Sequence, residues 1–188
     1  MMRRLTPQLA ILCCVGVLGI AGIAACGSSS SSSSSPSAAA TTNATVSSGT
    51  SSLATAKFAL HAGLAFGALH HWIYGPLKAG ALKHPTSNKL ALAKAGLASL
   101  FVYHELKLAA GNAKNSKLLA PLVAPLTAAG NKVDSLKGSI TDGSVSESDL
   151  NGVNSQLGQI GSTASASGTP IKESVPSLAQ LTSSSQSS

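Results

Sequence analysis

Apolar residues recur at three- and four-residue spacing along four stretches of the chain, with polar or serine-rich runs between and around them. That is the period of one face of an α-helix. The first stretch, about 56–74, sets Phe58, His61, Leu64, Ala65, Ala68 and Trp72 on one face. Gly75-Pro76 interrupts it, because proline lacks the amide donor and crowds the preceding turn. Residues 77–83 add another turn or two before His84-Pro85. Thr86, Ser87 and Asn88 offer caps for a second helix over about 88–110, with Leu90, Leu97, Leu100, Phe101, His104 and Leu108 as its apolar face. Gly111-Asn112 is its stop.

A third helix starts near Asn115 or Ser116, with Leu118, Leu119, Leu122, Val123 and Leu126 as its apolar set, and continues through Val133, Leu136 and Ile140. Pro121 and Pro125 would each delete a backbone hydrogen bond there, so a kink or an irregular start is expected. Ser146-Glu147-Ser148-Asp149 resembles a capping box with Asp in place of Glu, opening a fourth helix along Leu150, Val153, Leu157 and Ile160. Four amphipathic helices on short connections predict an all-α fold, a small antiparallel four-helix bundle over 57–164. The segment 165–188 reads as a mostly disordered tail, with an apolar clump at Ile171, Val175 and Leu178 able to dock and with disorder over 182–188. Gly63 and Gly67 form a G-x-x-x-G in the first helix, which lets helix two or four pack closely.

Before these helices, Arg3 and Arg4 precede an apolar run from Leu9 to Ala25, the layout of an export signal. The run ends in Ile23-Ala24-Ala25-Cys26, which resembles the lipobox of bacterial lipoprotein precursors, with Ile where Leu is usual. The resemblance implies a signal peptide over 1–25 and a diacylglyceryl thioether on Cys26, which becomes the N-terminus after cleavage. It also implies palmitate-type acyl chains in a lipid bilayer, and more than one chain holds a protein stably. The stretch from Lys57-Phe58-Ala59-Leu60-His61-Ala62-Gly63 to Trp72-Ile73-Tyr74-Gly75-Pro76 looks like uncharacterised helical envelope proteins of high-GC Gram-positive bacteria, a likeness that carries no activity with it.

Residues 26–56 are rich in Ser and Thr with no apolar periodicity, so they read as a disordered linker. The 29 residues from 27 to 55 would span roughly 30 Å as a coil and roughly 100 Å fully extended. Cys13 and Cys14 leave with the signal and Cys26 is alkylated, so thiol catalysis, disulfides and Cys-ligated metals are excluded on this reading.

Aromatic residues make up 3% and charged residues 10% of the chain, which is too few large side chains for more than one small domain. Removing Arg3 and Arg4 from the formal charge of +7 leaves eleven lysines against six acids, a net of +5. That balance suits an anionic membrane or cell-wall neighbourhood. The lysines are scattered and arginine is absent after residue 4, so nucleic acid is not expected as a partner.

Candidate chemistry rests on histidine. Folding helix one against helix two about residues 84–88 places positions whose numbers add to 172–175 opposite one another, which sets His70 and His71 level with His104. His71 and His104 are therefore the candidate pair for a metal ion or haem iron. His61, His70 and Tyr74 are the candidate binding residues. No nucleophile elbow, phosphate loop or dinucleotide fingerprint is present, and no enzyme is expected. The expectation is a lipid-anchored helical binding module on the outer face of the cytoplasmic membrane, with an envelope protein or wall polymer as partner and no cofactor. The alternative is a histidine-ligated metal or haem protein.

Overall fold

The computed structural model describes residues 43–184, so the expected signal peptide and Cys26 lie outside the described residues. Every described element is helical: α1 Asn43–Ala68, a π-helical continuation Leu69–Tyr74, α2 Gly75–Lys78, α3 Lys89–Ala113, α4 Val123–Asp142, α5 Glu147–Ala166 and α6 Leu178–Ser184. The described residues contain no strand. The core draws only on residues between Ala54 and Leu181, inside the compact unit Ala40–Ser188. That unit holds what an independently folding domain requires.

α1 begins at Asn43, so the last part of the expected linker is helical and the domain starts earlier than residue 57. Burial reaches back to Ala54, one turn before Phe58, so tertiary packing holds at least this part of the helix. The buried line continues through Ala62, Ala65, Leu69, Ile73 and Leu77. The run Ser51–Lys78 is long and apolar enough to cross a bilayer, but half of its most apolar window is buried inside the fold, as in a core helix.

Gly75-Pro76 does not cut the helix. The turn before it widens instead, with the Gly75 amide donating to the carbonyl of His70, five residues back. This π-turn relieves the clash between the proline ring and the carbonyl four residues earlier, and the chain stays helical to Lys78. Pro121 and Pro125 behave as expected of an irregular start. Pro121 sits in a 3-10 turn over Ala120–Leu122, and Pro125 lies in the first turn of α4, where an amide donor would have no intrahelical partner. Gly143 ends α4 with φ 78°, and Ser146 caps α5 by accepting the Asp149 amide at 3.0 Å.

α3 packs against α1, α4 and α6. Buried on several sides, it does not present the leucine stripe expected of it. Leu90 is 68% exposed and Leu100 37%, while Leu92, Ala95, Ala98, Val102, Leu106 and Ala109 are buried. Residues pair across neighbouring helices: His61 meets Glu105, Gly96 meets Thr141, Lys132 meets Asp149 and Tyr74 meets Asn151. The pairings are staggered. α5 meets α1 and its continuation near residues 70–78 and α4 near 125–132, which α3 sets level with about residues 54–65 of α1.

The segment 165–188 is not a loose tail as far as it is described. Residues 169–177 form an extended strap along α1, and α6 follows with Leu181 fully buried. Of the expected apolar clump, Ile171 packs on the core, whereas Val175 and Leu178 are exposed.

Candidate functional site

The strap explains Gly63 and Gly67. The Ser174 amide donates to the Gly63 carbonyl at 3.0 Å. A Cβ on Gly63 would run into the carbonyl oxygen of Lys172, and one on Gly67 into that of Ser174. The G-x-x-x-G thus seats an extended backbone and does not serve helix two or four, because only glycine leaves room for main chain at this distance.

Polar pairs fix the strap and α5 to the same side of α1. His70 Nδ1 lies 2.9 Å from Glu173 Oε2 on the strap, and its Nε2 lies 2.5 Å from Asn154 Oδ1 on α5. Both ring nitrogens face oxygen acceptors, so the ring satisfies both only as an imidazolium. Burial opposes that charge, but the hydrogen bonds to Glu173 and Asn154 and the charge of Glu173 outweigh it, and the His70 pKa lies above the ordinary histidine value. One turn on, the Tyr74 hydroxyl donates to Asn151 Oδ1 at 2.7 Å. A further turn on, Lys78 pairs with Glu147 at 2.9 Å, which raises the lysine pKa and lowers that of the carboxylate. The Trp72 indole donates to the Pro176 carbonyl at 3.1 Å.

No protein-family model, curated protein or solved structure matches the chain. The site is therefore read from its own residues.

His71 stands apart from this seam. It packs edge-on to Trp72 with ring centroids 4.8 Å apart, at an open hollow of about 480 Å³ that also includes Pro76, Leu90 and Lys94. The Lys94 ammonium sits 5.8 Å from the Trp72 ring centroid. This hollow combines an aromatic, an imidazole and a cation.

The structure does not bring His71 and His104 together. His61 faces Glu105 and Trp72 faces Lys94, so opposed residues of α1 and α3 have numbers adding to 166, not 172–175. The helix ends at Lys78 and α3 starts at Lys89, so the turn between them is centred near residue 83 and not within 84–88, which moves the register by about two turns. His104 then lies roughly nine residues, or about 14 Å, along α3 from the level of His71. Among the described residues no three His, Cys, Asp or Glu side chains gather as a metal ion would require.

His61 instead forms an interior pair with Glu105, at 2.7 Å with side chains 21% and 8% exposed. Of the candidate binding residues, His70 and Tyr74 join the seam to α5 and His61 joins α1 to α3. Asn151 and Asn154 gave no signal in the sequence, because a lone amide has no periodic pattern. The G-x-x-x-G was visible, but its partner was not.

Proposed function

We propose that this chain is a lipid-anchored extracytoplasmic module of the cell envelope that binds through its helical body and does not catalyse. The observation that carries the reading is Cys26, placed directly after an apolar run that ends in the small residues Ala24 and Ala25, with Gly27 and then a serine tract behind it. Acylation there would hold the protein on the outer face of the cytoplasmic membrane.

In this reading α1, α3, α4 and α5 form an antiparallel four-helix bundle, which the direction of each contacting pair supports. The binding surface is the hollow of His71, Trp72, Leu90 and Lys94, where a partner would meet an indole face and a cation together. A binding role is also supported by the carboxylates. Glu105 and Glu173 hold histidines, Asp134, Glu147 and Asp149 hold lysines, and Asp142 accepts the Ser144 amide.

Two measurements test the two halves of the proposal. Growing the native host with a clickable fatty acid should label the protein in the membrane fraction, and Cys26→Ser should abolish the label; an unlabelled wild-type protein would refute the anchor. Trp72 is the only tryptophan, so its emission reports on the hollow. Titration with cell-wall fragments or envelope extract should give a saturable change that Lys94→Ala removes. A flat titration with every envelope fraction would refute the binding surface.

A further inference from the structure

Among the described residues, three of the eleven lysines pair with a carboxylate and eight do not. Lys78, Lys132 and Lys137 each pair with a carboxylate. The other eight make no ion pair among the described residues, and four of these eight are Lys57, Lys107, Lys114 and Lys117, all exposed. These four lie together. Lys114 and Lys117 line an open hollow of about 970 Å³ between the first part of α1 and the turn after α3. Lys57 lines a second hollow that shares Asn115 with the first, and Lys107 lines a third that shares Lys114. No acidic side chain lines any of the three.

The same surface exposes large apolar side chains. Leu118 is 69% exposed and lines the first hollow; Leu53 is 56% exposed and lines the second. Leu60 is also 56% exposed and follows Leu53 and Lys57 at helical spacing on α1. Leucines left in water among unpaired lysines are costly for a chain with so few large apolar residues, unless something apolar and anionic meets them. A bilayer containing anionic lipid supplies both, with phosphates at the level of the ammonium groups and acyl chains just beneath. A soluble anionic polymer would use the lysines alone.

We infer that the face built from Leu53, Lys57, Leu60, Lys114, Lys117 and Leu118 is a membrane-docking surface that seats on anionic lipid. The inference goes beyond the acyl anchor, because it concerns helices that would hold the bilayer without Cys26. The face lies on the first part of α1, beside the segment that joins the domain to residues 26–42. A tethered domain would therefore be drawn down onto the lipid surface rather than float at the full reach of its linker.

The test uses residues 40–188, the compact unit that contains the whole described core, with helicity checked by circular dichroism. Flotation with phosphatidylcholine vesicles is compared with flotation on the same vesicles containing phosphatidylglycerol. Binding should be confined to the anionic vesicles and should fall as salt is raised. Lys114→Glu/Lys117→Glu should weaken it by at least about tenfold, while Lys83→Glu/Lys89→Glu, the same charge change elsewhere, should weaken it far less. Leu53→Ser/Leu118→Ser should also weaken flotation. Equal losses in the two lysine pairs, flotation indifferent to the leucines, or capture by soluble polyglutamate without flotation would each overturn the inference.

Discussion

The amide of Ser174, near the end of the described chain, donates to the carbonyl oxygen of Gly63 in the middle of α1, 3.0 Å away. That hydrogen bond is available only because Gly63 and Gly67 present bare backbone to the strap. Gly63→Ala and Gly67→Ala should each destabilise the fold by about 1–3 kcal/mol through overpacking against main chain that cannot turn aside. Urea unfolding gives the size of the loss, and limited proteolysis should show new cleavage within 169–177.

Gly152 and Gly158 supply the contrast. Both lie exposed inside α5, and a Cβ at either would meet nothing within 4 Å. Replacing either with alanine should raise stability by about 0.5–1 kcal/mol, because alanine loses less backbone freedom in a helix. A midpoint in urea that stays still or falls for both variants would contradict this account of α5.

Docking of the strap should weaken as pH rises. The folded-state pKa of His70 is raised above its usual value of 6.5, so the stability it contributes is complete below about 6.5 and is lost as pH climbs through the higher folded value. Amide exchange across 171–175, corrected for intrinsic rates, should show greater protection at the acid end of that window. Glu173→Gln should lower the histidine pKa, read by NMR, and flatten the dependence.

The interior pair of His61 and Glu105 predicts an asymmetry. His61→Ala strands a carboxylate that is 8% exposed, whereas Glu105→Gln leaves a polar group able to bond the ring. The first should cost more than the second, with the difference about 1–3 kcal/mol. The double variant His61→Leu/Glu105→Leu should recover much of the loss, since apolar packing can replace an interior ion pair. Thermal unfolding of the three variants orders them directly.

Much of the helical layout was legible in the residues themselves. Ser146 and Asp149 announced the start of α5 through their hydrogen-bonding chemistry, and Pro121 with Pro125 announced an irregular entry to α4. The buried side of α3 was not legible from its leucines. In a chain this poor in large side chains, Ala95, Ala98 and Ala109 line the contacts while Leu90 faces water. The site was misread for a related reason. The helix ends at Lys78 and not near Lys83, so the turn to α3 is centred earlier and each histidine meets different residues of α3. Local periodicity did not give that shift, because lysine, alanine and glycine over 78–81 leave the end of the helix open.

The strap also sets an order of assembly. The ribosome releases α1 with its glycine groove open, and the segment that fills the groove is made only after α3, α4 and α5 have emerged. The helices have local partners and can collapse early, while closure of the strap spans most of the domain's length and must wait. The strap, made after the helices it closes against, is thus the last of them to find its place, and it is the piece expected to open first when the native state fluctuates.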